Sequence, residues 1–241
     1  MTLEAEKLAL IQRLQDVQAK IIAACQRVGR SSESVTLVTV TKKRTVEQIS
    51  IIKDYLISQK CSVVIGENYV QEFLSKKPLL GENIKAHLIG ALQRNKAKLA
   101  VQNFDVIQSV HSWPLAQALN KAAEELKIVK EIFLQVNISQ DPNKSGFAPE
   151  EVQVIVEQEM PKLKNLKLVG LMTITKDYPE AELVRPDFKA LKQLKNILDS
   201  KVSQPLALSM GMSSDYEIAI EEGATVVRVG TAIFGERDKL G

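Results

Sequence analysis

Aromatic residues are scarce in this chain, at 5% of 241 residues. Its basic runs, Lys42-Lys43-Arg44 and Lys76-Lys77, are short and acidic residues are spread among them. A nucleic-acid surface needs a larger basic patch or one interleaved with aromatics, so no nucleic-acid partner is expected. Cysteine is limited to Cys25 and Cys61, which form no CxxC and fall in separate expected elements. That usage fits two reduced, partly buried thiols in a cytoplasmic protein. The two histidines, His87 and His111, come with no HExxH and no carboxylate cluster, so no metal site is expected. Each reads first as a structural histidine and second as pocket lining. No GxGxxG follows a strand-like run, and neither a GxxxxGK[ST] loop nor a GxSxG elbow occurs. No apolar run approaches the roughly 18 residues of a membrane span. Glu4, Glu6 and Lys7 stand where a signal peptide needs an apolar core, so neither a membrane nor secretion is expected.

What is present describes a folded chain: 45% hydrophobic residues, 25% charged, and a formal net charge of +3. Leu10, Leu14, Val17, Ile21, Ala24 and Val28 recur at three- and four-residue spacing, which predicts an amphipathic helix over 3–29 stopped by Gly29. An alternation follows. Strand-like runs at 35–40, 62–65, 86–89, 105–110, 131–138, 166–174, 205–210 and 225–229 are each followed by a helical pattern or a short turn. Strands alternating with helices pair in parallel, because each crossover needs a helix to return the chain. Eight such units predict an α/β fold, a TIM-type (β/α)8 barrel in one domain over 1–241, with an extra N-terminal helix. An open doubly wound sheet is the alternative.

Active sites of such barrels sit at the C-terminal ends of the strands. The loops after the seventh and eighth runs, SMGMSSD and VGTAIFG, are rich in Gly and Ser. Barrels often hold a phosphate group there, on backbone N–H groups and hydroxyls. Ser214 and Glu217 also read as a capping box. Arg228 shares its strand face with Val226 and Gly230, and an arginine inside a barrel must meet an anion or a strong acceptor. Lys42 shares a face with Val38 and Val40, and Lys43 with Thr39 and Thr41. Parity alone does not say which face points inward. A desolvated lysine near other cations can attack a carbonyl.

Several segments together resemble one family: VTVTKKRTVEQI at 38–49, IGENYVQE at 65–72, AHLIGALQRNK at 86–96, LQVNIS at 134–139, KSGF at 144–147 and GLMTI at 170–174. LSMGMSSDYEIAIEEGATVVRVGTAIFGER at 208–237 is the most specific. The chain resembles the pyridoxal phosphate homeostasis proteins, which are similar to the barrel domain of alanine racemase. The resemblance implies a barrel that holds pyridoxal 5′-phosphate (PLP) as a Schiff base on Lys42. It implies a phosphate cradle of Ser209, Gly211, Ser213, Ser214, Gly230 and Thr231. Asn68, His87 and Met212 would line the pocket, and Arg228 would face the pyridine nitrogen. The chain departs from the family at Ala86, Ile65 and Lys43-Arg44-Thr45, where Trp, Phe and Thr-Lys-Pro are usual.

The resemblance further implies a PLP carrier or buffer that affects amino-acid and keto-acid balance indirectly, with PLP-dependent apoenzymes as possible recipients. An arginine at the ring nitrogen opposes its protonation, which weakens the electron sink an enzyme would need. A weak racemase or lyase is the second reading, and it needs an acid/base pair. A sugar-phosphate isomerase is the third; Glu67 is its only strand-end carboxylate. The apolar stripe of the first helix suits either a monomer or a weak dimer.

Overall fold

The structure, a computed structural model, describes residues 3–236. Arg237, which ends the last matching segment, lies outside them, as do the limits of the expected 1–241 domain. Helix α1 (Leu3–Arg27) buries Leu10, Leu14, Val17, Ile21 and Ala24. Gly29, at φ +66°, ends it: the Arg30 N–H reaches the Cys25 carbonyl and the Gly29 N–H reaches that of Gln26. This is the Schellman pattern, which places the left-handed residue just past the last turn. Cys25 is buried, whereas Cys61 is exposed, and both are free thiols.

Eight strands follow: β1 (Thr36–Val40), β2 (Val64–Glu67), β3 (Lys85–Leu88), β4 (Val106–Val110), β5 (Lys130–Gln135), β6 (Leu166–Met172), β7 (Ala207–Ser209) and β8 (Val226–Val229). The intervening helices are α2 (Val46–Ser58), α3 (Val70–Leu80), α4 (Ala97–Asn103), α5 (Trp113–Glu125), α6 (Pro149–Val154), α7 (Arg185–Asp199) and α8 (Tyr216–Glu221), with α9 (Thr231–Phe234) after β8. The strands are parallel and close into a barrel in chain order, β8 pairing with β1. The (β/α)8 expectation is therefore met.

Alternation divides each strand between two cores. Val38, Val64, Val106, Phe133, Met172 and Val226 fill the barrel interior. Ile65, Leu88, Ile107, Leu134 and Leu208 face outward into the layer shared with the helices. Burying side chains of this size contributes roughly 1.5–3 kcal/mol each.

The second strand begins two residues later than its composition suggests. Lys60 takes φ +58° after α2, and the Cys61 N–H returns to the Leu56 carbonyl. That closing turn consumes 60–61, so Ser62 stays outside the ladder and Glu67 becomes its last member. After α6 the helix widens into a π-turn over Ile155–Glu159 and tightens over Met160–Lys162. Pro161 has no N–H to continue an α ladder there.

Candidate functional site

A cavity of about 370 Å³ opens among the loops that follow the strands, within the usual range for small-molecule sites. Lys42 and Arg228 line it together with Asn68, Met212, Ser213, Ser214, Gly230 and Thr231. Eight of the eleven expected residues are thus brought together. Lys42 follows the face of Val38, which is inside the barrel, and this resolves the parity left open above. Lys43 is exposed on the other face.

Two loops meet at one wall. The Ser213 hydroxyl oxygen accepts the N–H groups of Gly230 (3.2 Å) and Ala232 (3.3 Å), tying the loop after β7 to the one after β8. Its own proton remains available to an anion. Asn68 is set by close backbone packing: a Cβ on Gly90 would lie 2.4 Å from the Asn68 carbonyl oxygen. Only glycine permits that approach.

Three expected residues stand away from the cavity lining. Ser209 is fully buried inside the barrel. Its hydroxyl accepts from Arg228 Nη1 (2.7 Å) and donates to Gln108 Oε1 (2.6 Å). Gly211, at φ +91°, packs against α8, where a Cβ would lie 2.5 Å from the Ala219 Cβ. His87 is buried with its Nδ1 2.7 Å from Gln108 Nε2. The Ser214–Glu217 capping box is absent. Asp215 is the N-cap of α8, its carboxylate accepting the Met212 N–H, while Glu217 is drawn to Arg27 of α1.

Arg228, Ser209, Gln108 and His87 form one directional chain across the barrel. Arginine only donates, so Ser209 must donate onward, and Gln108 must give its N–H to His87. His87 therefore accepts at Nδ1 and carries its proton at Nε2. The second Arg228 nitrogen donates to the Thr173 carbonyl (2.7 Å). Burial lowers the Arg228 pKa to about 10, with Asp215 opposing the shift, so the guanidinium stays charged at neutral pH. Burial also raises the Asp215 carboxyl above its usual range, against the Met212 N–H and the Arg228 charge. Lys42, Arg44 and Arg228 give the cavity three cationic groups, a surrounding suited to an anion.

Sequence reasoning missed Gln108 and Arg44. Gln108 carries the same signal that singled out Arg228, a polar residue on the inward parity of a β-branched run. Arg44 follows the strand and has no such signal. It lines the cavity with its guanidinium 5.5 Å from the Phe234 ring centroid, and Nη2 donates to the Gly235 carbonyl.

Burial lowers the His87 pKa to about 4. The unfolded chain binds that proton near pH 6.5, so between the two values the unfolded state holds more protons and stability rises with pH. The neutral ring's contribution is complete above pH 6.5 and is lost as pH falls toward 4. The expected loss is on the order of 3 kcal/mol. Urea unfolding at stepped pH should show this slope, and His87→Gln should flatten it.

The described residues hold no group of three or more His, Cys, Asp or Glu able to bind a metal. No helix among them is long and apolar enough to cross a membrane.

The family model of the alanine racemase N-terminal domain matches residues 26–238. A pyridoxal phosphate homeostasis protein of Aquifex aeolicus is 38% identical, covering 94% of this chain and 97% of that protein. The Synechococcus elongatus protein PipY, solved with PLP bound, superimposes with a TM-score of 0.78 at 33% identity, covering 94% of this chain and all of that one. Alanine racemase of Clostridium difficile, at 18% identity and a TM-score of 0.72, shares the fold over 58% of its own length. With its matching sequence, barrel and strand-end cavity, this chain belongs to the pyridoxal phosphate homeostasis proteins, a branch of the family defined by the alanine racemase N-terminal domain.

Proposed function

We propose that residues 1–241 act as one domain that binds PLP reversibly, with Lys42 forming the Schiff base, and that buffers and delivers the cofactor. The observation that carries this is the single cavity in which Lys42, Arg228 and the Ser213–Ser214 and Gly230–Thr231 loops converge. The hydroxyls and backbone N–H groups of those loops would hold the phosphate. Lys42 would meet the aldehyde, and Arg228 the ring nitrogen. Bound there, the cofactor supplies a carbonyl and, when its ring nitrogen is protonated, an electron sink.

The surrounding residues favour storage over catalysis. A buried, charged arginine disfavours a proton on a nitrogen facing it. Among the described residues no tyrosine lines the cavity. Tyr178 donates its hydroxyl to Asp187, and burial pushes its pKa up to about 12. Such a protein would serve PLP-dependent apoenzymes in the cytoplasm and affect amino-acid and keto-acid balance through them. The free thiols Cys25 and Cys61 suit that compartment.

The test is transfer. Loaded protein mixed with a PLP-dependent apoenzyme should restore its activity. Amino acids in deuterated water should exchange their α-protons no faster than with free PLP. Accelerated exchange would make the protein an enzyme, and a protein that takes up no PLP would refute the reading altogether.

A further inference from the structure

Lys42 sits between two peptide groups that are both held from outside the barrel by one ion pair. The carbonyl before it, that of Thr41, accepts Lys76 Nζ at 2.9 Å. The N–H after it, that of Lys43, donates to Glu72 Oε1. The same Glu72 oxygen accepts Lys76 Nζ at 2.6 Å. Lys76 gives its third N–H to Glu67 Oε1 at 3.2 Å, and Glu67 Oε1 also accepts the Thr41 hydroxyl at 2.7 Å. The ammonium thus spends all three donors on this turn.

The cluster is costly. Glu67 is fully buried, its Oε2 has no hydrogen-bond partner, and Lys76 is 8% exposed. Burial pushes the Glu67 carboxyl up, against the pull of Thr41 and Lys76. A buried ion pair is weak evidence for stability, because desolvation offsets much of the attraction. What this one does hold is orientation. Lys43 sits at φ +58°, an unfavourable region for a lysine, and its N–H is one of the groups held.

We propose that Lys76 and Glu72 are positioning residues for Lys42: they clamp the two peptide groups that flank it and aim its amine into the cavity. The part concerning PLP rests on the function proposed above. Misplacing a reacting group by about 1 Å can slow a reaction about a hundredfold, so a loosened clamp should show in the rate of capture.

Glu72→Ala alters a partly exposed side chain and serves as the principal variant. Lys76→Met is the second, and Glu72→Gln keeps an acceptor oxygen for rescue. Hydrogen exchange of the Lys43 N–H, read without cofactor, should accelerate about tenfold or more in Glu72→Ala, while β5 and β6 are unchanged. The rate at which added PLP develops its visible band should fall about tenfold or more. Affinity for pyridoxamine 5′-phosphate, which lacks the aldehyde, should stay within about twofold, and Glu72→Gln should recover part of both losses. Unchanged exchange at Lys43, or faster exchange with undiminished capture, would overturn the proposal. If the wild type captures no PLP while Lys43 exchange accelerates in the variant, the cofactor reading fails and the clamp stands.

Discussion

The wild-type protein is expected to develop a visible band with PLP, and replacing Lys42 with alanine is expected to abolish it. Lys42 extends the inward face of β1 and is the only lysine among the described residues that lines the cavity. Lys43 points the other way and is exposed. Phosphate recognition through Ser213, Ser214 and Thr231 would remain, so binding should weaken without vanishing. Losing a positioned covalent bond corresponds to about two orders of magnitude in affinity or more. The measurement is a spectroscopic titration beside equilibrium dialysis. A band that survives in Lys42→Ala would move the Schiff base to another lysine.

The second large effect concerns Gly211→Ala, where stability should fall by about 3 kcal/mol. A left-handed φ disfavours any Cβ by roughly 1–2 kcal/mol. The added methyl would also meet the Ala219 Cβ at 2.5 Å and the Tyr216 Cα at 2.9 Å. Relieving such overpacking costs typically about 1–3 kcal/mol. Urea unfolding would read the loss directly. If stability is unchanged and phosphate affinity collapses, Gly211 belongs to the ligand cradle after all.

These two residues also show what was legible in advance. Arg228 could be placed on a strand face because alternation along a strand is strict. Alternation leaves Lys42 and Lys43 open, and only the family resemblance points to Lys42; the buried Val38 then shows that its face is the inner one. Gly211 and Ser209 share a Gly- and Ser-rich segment with Ser213 and Ser214, and composition treats all four alike. The structure separates them by packing. Ser209 is the last residue of β7 and turns inward, Gly211 lies under α8, and only the next turn reaches the cavity. The start of β2 was misplaced for a local reason, the left-handed Lys60 that closes α2. The capping box is absent because Asp215 rather than Ser214 caps α8, which leaves Glu217 one position short of N3, where Arg27 of α1 binds it instead. The Lys76–Glu72 clamp gave no sequence signal, since it joins the middle of α3 to the turn after β1.

Helix α1 packs against α2, α8 and α9, so it lies across the seam where β1 meets β8. Its Arg13 donates to the Ile233 carbonyl, and its neighbour Arg30 to those of Ile220 and Ala224. The order of synthesis then matters. The apolar stripe of α1 emerges before the barrel strands, yet two of those three partner helices, α8 and α9, are made about two hundred residues later. Until β8 arrives, β1 has an unpaired edge, and such edges are sites of mispairing. Contacts this distant in sequence slow folding. The loops after β7 and β8 come from the same late segment, so the nascent chain gains its ligand pocket only at the step that shuts the barrel.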